Sequence, residues 1–136
     1  KERKLHVVIK ALNQPFLGIC LGLQLMCQFS EESNTPCLGI FNAKVRKFPE
    51  LDIVPHMGWN NLEGIKGPLF NNVKVKDDVY FVHSYYAEIS KETTATTNYI
   101  LPFSSALHKD NFYATQFHPE KSADVGNQIL KNFMKL

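Results

Sequence analysis

A single cysteine framed by two glycines constrains the fold of this chain more than any other feature. Cys20 lies in the run Gly18-Ile19-Cys20-Leu21-Gly22, between an apolar strand-like segment, Phe16–Ile19, and a helix-like segment. The pattern G-x-nucleophile-x-G is typical of a nucleophile elbow, a strained strand-to-helix turn that we expect to leave room only for glycine on either side. A thiol at the N-terminus of the following helix would have a lowered pKa. The alternative is a buried structural cysteine in a glycine-containing loop.

Length and composition predict one domain over residues 1–136. Hydrophobic residues make up 44% of the chain and charged residues 21%, an ordinary globular balance. The net charge of +2, with scattered lysines, disfavours nucleic-acid and membrane-surface binding. No apolar run approaches the length of a membrane span, and no signal peptide opens the chain. The three cysteines form no C-x-x-C pair, which argues against a disulfide framework or a zinc site and for a cytoplasmic location.

The order of the predicted elements is that of an α/β protein with a doubly wound sheet. A helix is predicted over residues 1–12, with Leu5 and Val8 on its apolar face. The helix after Cys20 is expected to turn Leu23, Met26 and Phe29 inward. Further strands are predicted at Ala43–Phe48, Met57–Leu62, Asp78–Ala87, Thr93–Tyr99, Phe103–Leu107 and Phe112–Phe117. A closing helix is predicted over Ala123–Met134, with the apolar face Val125, Ile129 and Phe133 and with Ser122 as its cap.

A second candidate feature, His118-Pro119-Glu120, directly follows the last predicted strand. Proline keeps the preceding residue extended, so His118 is expected at a strand's carboxyl end. Side chains two residues apart on an extended backbone point the same way, so Glu120 can reach the His118 ring. Such a pair supplies the base that Cys20 needs, with a carboxylate that orients it. In open α/β sheets ligands bind at the carboxyl ends of strands, where both features are expected.

Together these motifs resemble the class I glutamine amidotransferase domain, whose triad is Cys, His and Glu in that chain order. The runs Pro55-His56-Met57-Gly58-Trp59-Asn60 and Tyr80-Phe81-Val82-His83-Ser84-Tyr85 give a narrower resemblance, to the glutaminase subunits of imidazole glycerol phosphate synthases. The final run, Gln116 to Ser122, agrees with it. The resemblance extends over the whole chain and implies a flavodoxin-like, mixed and mostly parallel sheet with flanking helices.

The resemblance also implies an activity and a set of site residues. Cys20 would attack the side-chain amide of glutamine, His118 would shuttle the proton and Glu120 would orient His118. The implied substrate-binding residues are Gly18, Leu21, Gln24, His83, Ser84 and Tyr85, with the Leu21 N–H as an oxyanion donor. The ammonia would pass to a (β/α)8-barrel cyclase subunit in histidine biosynthesis, in a heterodimer. No metal and no cofactor is implied.

The same resemblance assigns Trp59, Asn60, Tyr80 and Lys121 to the face that meets the cyclase subunit. An aromatic residue suits such an anchor, although a lone tryptophan is also a common core residue. The remaining residues are expected to be structural. Met57 and Val82 are predicted to be core residues, His56 to be structural, and His6 and His108 to be exposed to solvent.

The start of the chain departs from the family pattern. The family begins with further strands and a glycine-rich P-G-x-G segment that donates the second oxyanion hydrogen bond, and no run before Cys20 matches it. We therefore expect a domain that lacks its first strands and is inactive by itself. Three alternatives stay open: another class I amidotransferase component, of the anthranilate or aminodeoxychorismate synthase type; a cysteine hydrolase of a different amide; and a catalytically incompetent domain that only docks on a barrel.

Overall fold

The computed structural model describes residues 7–32 and 35–136, which form helices and strands of a mixed α/β chain. A helical turn covers residues 7–10 and ends before residues 11–12, and residues 1–6 of the predicted helix, with Leu5 and His6, lie outside the described residues. The strands are β1 (Phe16–Ile19), β2 (Phe29–Ser30), β3 (Thr35–Pro36), β4 (Lys44–Lys47), β5 (His56–Asn61), β6 (Asp78–His83), β7 (Tyr85–Ala87), β8 (Thr93–Tyr99), β9 (Leu101–Lys109) and β10 (Phe112–Thr115). The helices are α1 (Leu21–Met26) and α2 (Ala123–Met134), and short 3-10 turns cover Pro68–Phe70 and Pro119–Lys121.

The strands form one large mixed sheet and one small sheet. The large sheet has the order β1-β10-β9-β7-β4-β2-β3, with β8 paired to β9, and β5 and β6 form the small sheet. Strand β1 is parallel to β10 and β2 is parallel to β4, whereas the other neighbours are antiparallel. The predicted mixed α/β class is confirmed. The parallel pairing of β1 with β10 matters most for the site, because it brings together segments far apart in the sequence.

The strand predicted over Asp78–Ala87 is two strands in different sheets. His83, at the end of β6, pairs with His56, whereas Tyr85, at the start of β7, pairs with Lys47. The chain bends at Ser84 because one straight strand cannot follow both partners. Phe29 was predicted to lie on a helix and instead begins β2, because α1 ends at Met26.

Two hydrophobic clusters pack on the sheets. The larger one includes Phe48, Phe81 and Phe103, each at most 1% exposed. Ile129 of α2 is fully buried in it, and Val125 and Phe133 pack against it, so the predicted apolar face of the closing helix is confirmed. The second cluster surrounds Leu23 and Met26 and fixes α1 to the sheet.

Ser122 occupies the N-cap position of α2, as predicted, but it does not cap the helix with its side chain. Its side chain makes no capping hydrogen bond to α2. Instead, the buried Ser122 Oγ donates to the His118 carbonyl at 2.6 Å and accepts a hydrogen bond from the Tyr80 N–H at 3.0 Å. The hydroxyl therefore ties β6 to the segment that contains His118.

Candidate active site

Cys20 occupies a strained turn between β1 and α1. Its backbone has φ 56° and ψ −105°, a conformation that L-residues with a side chain rarely adopt and that costs about 1–3 kcal/mol. The surrounding structure holds it there: the Cys20 N–H donates to the Thr115 carbonyl at 2.8 Å, and the Gln24 N–H donates to the Cys20 carbonyl at 3.3 Å. The predicted strand, elbow and helix are thus all present.

The two framing glycines are not equivalent. A Cβ built on Gly18 would lie 3.0 Å from the backbone carbon of Gly22 and 2.4 Å from Met26 Sδ. A Cβ built on Gly22 would meet no atom within 4 Å. The expectation that both positions have room only for glycine is therefore wrong for Gly22. A side chain at this position would project into open space.

This difference predicts opposite outcomes for two matched substitutions. Gly18→Ala should lower the free energy of unfolding by about 1–3 kcal/mol, because the backbone of α1 must move away from β1. Gly22→Ala should leave it unchanged or raise it by up to about 1 kcal/mol, since alanine favours a helix over glycine. Urea unfolding of both variants measures the difference, and equal losses of stability would contradict the steric argument.

The Cys20 thiol is half-buried between a donor and an acceptor. Its sulfur lies 3.6 Å from Gln116 Nε2 and 3.7 Å from the Val82 carbonyl oxygen. Burial raises the pKa of the Cys20 thiol, and the negative charge of Glu120 raises it further, whereas the Leu21 N–H, Gln116 and Lys121 lower it. The lowered pKa predicted from a helix N-terminus is therefore wrong for this structure, because desolvation outweighs the favourable contacts.

His118 and Glu120 form the predicted pair beyond the end of β10. His118 Nδ1 lies 2.7 Å from Glu120 Oε2, and the His118 backbone is extended, with φ −98° and ψ 100°. The His118 side chain is 18% exposed, and its backbone N–H donates to the Tyr80 carbonyl at 2.9 Å. Because Nδ1 is engaged by the carboxylate, Nε2 is the ring nitrogen that can act as a base.

Cys20 and His118 lie at the same edge of the large sheet, beyond the carboxyl ends of paired parallel strands. Ile19 at the end of β1 is opposite Thr115 at the end of β10. Within residues 7–32 and 35–136, the Cys20 sulfur has its hydrogen bonds with Gln116 and Val82, and none joins it to His118. Catalytic hydrogen bonds often tighten only when substrate is bound, so this geometry is compatible with a nucleophile and its base.

A cavity of about 270 Å³ opens beside the sulfur. Its lining residues are Cys20, Leu21, Gln24, Glu32, Val82, His83, Ser84 and Tyr85. Of the predicted substrate-binding residues, Gly18 is the one that does not line it; Gly18 instead lies under α1. Two lining residues were not predicted from the sequence: Val82, which was assigned to the core, and Glu32, twelve positions after Cys20 in a polar run that was interpreted only as the end of a helix. A carboxylate shortly after an elbow helix was the available signal.

Gln24 is buried and its side-chain orientation is fixed. Gln24 Nε2 donates to the Tyr85 carbonyl at 3.0 Å and to Gln116 Oε1 at 3.1 Å. Both N–H bonds of that amide are therefore used inside the protein. The group of Gln24 that can meet a ligand in the cavity is its carbonyl oxygen, Oε1.

Two buried histidines extend this network into the small sheet. His83 Nδ1 donates to the Tyr85 carbonyl at 2.7 Å, so His83 Nε2 accepts the hydrogen bond from His56 Nδ1 at 3.0 Å. His56 Nε2 then accepts from Asn60 Nδ2 at 3.3 Å. Each ring is thereby held as one neutral tautomer. His56 is buried between Phe81 and Tyr99, in line with the structural role predicted for it.

The four residues assigned to a partner face lie near this site. Trp59, 54% exposed, stands opposite Tyr80 in the small sheet with its ring edge toward the Tyr80 ring. Asn60 donates to the Asn98 carbonyl as well as to His56, and Lys121 is exposed beside Glu120. Met57 is 63% exposed on the face of β5 that also presents Trp59, so the prediction that Met57 is a core residue is wrong. Alternation along a strand puts residues 57 and 59 on the same side.

Val82 and His108 are both half-buried. Val82 is opposite Met57 in the small sheet, so it packs at the margin of this face rather than in the core. His108 was predicted to be exposed, and its ring instead stacks on Tyr113 at 4.0 Å between centroids.

The elbow cysteine, the His–Glu pair and the mixed α/β sheet define a cysteine amidotransferase fold, and comparison with known proteins agrees. The family model of class I glutamine amidotransferases matches residues 2–136. This chain belongs to the class I glutamine amidotransferase family.

Among curated proteins, the chain is similar to imidazole glycerol phosphate synthase subunit HisH of Bacteroides fragilis, with 57% identity over all of this chain and 71% of that protein. It is 44% identical to the Haemophilus influenzae protein of the same name, over 99% of this chain and 69% of that protein.

Solved structures have the same fold at low sequence identity. A putative GMP synthase component from Thermoplasma acidophilum matches with a TM-score of 0.70 and 22% identity, over 96% of this chain and 61% of that one. A glutamine amidotransferase from Thermotoga maritima matches with a TM-score of 0.66 and 20% identity, over 98% of this chain and 53% of that one. The chain thus spans about three fifths or less of these solved chains. None of the helices within residues 7–32 and 35–136 has the length and apolar character that a membrane crossing requires.

Proposed function

We propose that the chain is the glutaminase subunit of an imidazole glycerol phosphate synthase and hydrolyses glutamine to glutamate and ammonia. Cys20 is the nucleophile, His118 is the base and acid, and Glu120 orients His118. The observation that carries the proposal is the sheet edge that Cys20 shares with His118 and Glu120, next to a cavity large enough for an amino acid. The similarity to HisH subunits of imidazole glycerol phosphate synthase supports the choice of reaction.

The reaction proceeds in two halves. His118 Nε2 accepts the Cys20 proton as the sulfur forms a bond to the carboxamide carbon, and the carbonyl oxygen becomes an oxyanion that the Leu21 N–H stabilises. His118 then gives that proton to the nitrogen, the C–N bond breaks and ammonia leaves, with a γ-glutamyl thioester remaining. Water attacks the thioester and loses its proton to His118, the C–S bond breaks, and the proton returns to the sulfur as glutamate departs.

The chemistry of the cavity suits glutamine. The amino-acid end of glutamine carries an ammonium and a carboxylate. The Glu32 carboxylate can accept hydrogen bonds from the ammonium, and the segment that contains His83, Ser84 and Tyr85 also lines the cavity. Gln24 Oε1 can accept an N–H of the substrate, since the Nε2 hydrogens of Gln24 are already donated. Gly18 acts indirectly by letting α1 pack against β1.

The product ammonia is taken up by a cyclase subunit of (β/α)8-barrel fold in a cytoplasmic heterodimer, with no cofactor on the glutaminase side. Trp59 and its neighbours Asn60, Tyr80 and Lys121 form the face that meets this partner. The exposed Trp59, packed against the half-buried Tyr80, has the character of an interface anchor, and the exposed Met57 enlarges its apolar area.

Labelling with an electrophilic glutamine analogue, a diazoketone, tests the proposal in the presence of the cyclase subunit. We expect one adduct, on Cys20, with excess glutamine protecting it and with glutamate released from glutamine in the unlabelled protein. Cys20→Ala should abolish both labelling and glutamate release, whereas Cys37→Ser should retain them. Equal labelling of Cys20 and Cys37, without protection by glutamine, would show that the site does not recognise glutamine and would favour a domain that only docks.

A further inference from the structure

We propose that Gln116 is a positioning residue that holds the Cys20 sulfur in the elbow by donating an N–H from its side-chain amide. Gln116 directly follows β10, and its Nε2 lies 3.6 Å from Cys20 Sγ. Its backbone N–H donates to the Ser105 carbonyl at 2.8 Å, which anchors the residue to β9. The role of Gln116 in supporting a nucleophile rests on the proposed function, but the contact between Gln116 Nε2 and Cys20 Sγ does not.

The direction of the hydrogen bond follows from the neighbouring groups. The Tyr85 carbonyl can only accept, so the atom of Gln24 that faces it is the amide nitrogen. That nitrogen also faces Gln116, so the atom of Gln116 next to it must be the oxygen. The other end of the Gln116 amide, which faces Cys20 Sγ, is therefore the nitrogen donor.

The burial of Gln116 calls for such a role. Its side chain has no exposed surface, and burying an amide is costly unless its polar atoms have partners. The oxygen is satisfied by Gln24 and the nitrogen by the sulfur. The amide therefore bridges the middle of α1 to the residue that precedes α1, through side chains rather than through the backbone of the helix.

The contact matters most after Cys20 loses its proton. The neutral thiol can donate to the Val82 carbonyl while it accepts from Gln116. A thiolate keeps the second bond, strengthened by its charge, and loses the first. The Gln116 contact lowers the thiol pKa and so opposes the effect of burial.

The pH dependence of Cys20 alkylation by iodoacetamide, read on the Cys20 peptide by mass spectrometry, tests the contact in the whole protein. We expect Gln116→Leu to raise the pH midpoint of Cys20 alkylation by about one unit. At any pH below the midpoint, the alkylation rate should then be about tenfold lower than in the unsubstituted protein. Gln116→Glu keeps an acceptor for Gln24 and should move the midpoint up at least as far, because an oxygen replaces the donor. Gln128→Leu, which removes a glutamine of α2 bonded to Asn132, is the control and should not move it.

An unchanged midpoint in either folded Gln116 variant would overturn the inference. A third measurement needs no substitution: the Gln116 side-chain amide resonance should titrate with the thiol, and a resonance that ignores thiol ionisation would overturn it as well. In glutamine hydrolysis measured in the presence of the cyclase subunit, kcat should fall in Gln116→Leu while KM is retained. If the alkylation midpoint is unchanged in the Gln116 variants while the diazoketone still labels Cys20, the role of Gln116 is refuted and the proposed function stands. If the midpoint moves but the diazoketone does not label Cys20, the role of Gln116 stands and the proposed function is refuted.

Discussion

Replacing Gly126 by alanine is expected to lower the free energy of unfolding by about 3 kcal/mol or more. A Cβ at this position of α2 would lie 1.8 Å from the carbonyl oxygen of Pro119 and 2.8 Å from its carbonyl carbon. Both are backbone atoms, so no side-chain rotation relieves the clash. Either α2 must leave the sheet or the turn Pro119–Lys121, which carries Glu120, must move.

Urea unfolding measures the loss of stability, and glutamate release in the presence of the cyclase subunit measures the effect on Glu120. The neighbouring Asn127→Ala, on the exposed side of α2, is the matched control, because it alters helix propensity without a clash. If Gly126→Ala unfolds at the same urea concentration as Asn127→Ala, the result contradicts the close packing of Gly126 against the Pro119 carbonyl. If stability is retained but glutamate release is lost, the strain has been relieved by displacing Glu120.

Acidification from pH 7 to pH 5 is expected to cost about 4 kcal/mol of stability through the His56–His83 pair. Burial lowers the pKa of His56 to about 4 and that of His83 to about 3, against about 6.5 in an unfolded chain. The folded state holds both rings neutral, whereas the unfolded state takes up two protons below pH 6.5. The stability that the neutral pair contributes is therefore present above pH 6.5 and is lost progressively as the pH falls to about 4 for His56 and about 3 for His83. At pH 5 each ring contributes about 2 kcal/mol of this loss.

Unfolding by urea at pH 7 and at pH 5 tests this prediction with two variants. His83→Gln removes one of the titrating rings, so the difference in stability between the two pH values should shrink by about half. His108→Gln removes a half-buried ring outside the pair and should preserve the full difference. An equal pH dependence in all three proteins would assign the acid sensitivity to other groups.

Local patterns predicted the parts of the site that depend on neighbours in sequence. The run Phe16 to Gly22 indicated the strand, the turn and the helix, and His118-Pro119-Glu120 indicated the extended backbone and the ring–carboxylate bond. Turn geometry, proline stereochemistry and strand alternation act over a few residues, so they can be deduced without knowing the fold.

The errors concern surroundings that distant segments supply. Whether Gly22 faces open space depends on how α1 packs, and the thiol pKa depends on burial by residues as remote as Val82. Met57 could not be assigned to a surface without knowing which face of the small sheet packs on the core. Gln116 and Val82 were not predicted as site residues because their neighbours in sequence give no hint of the sulfur or the cavity that they adjoin.

The parallel pairing of β1 with β10 has a consequence for biosynthesis. Cys20 is made well before its partners Gln116, His118 and Glu120, and in the described part of the chain β10 is the strand that pairs with β1. A nascent chain that does not yet include residues 116–120 therefore carries the Cys20 thiol without the side chains of Gln116, His118 and Glu120. Contacts between such distant segments form late because a long loop must close first. The side-chain contacts of Cys20 with the segment after β10 therefore form only when β10 joins the sheet.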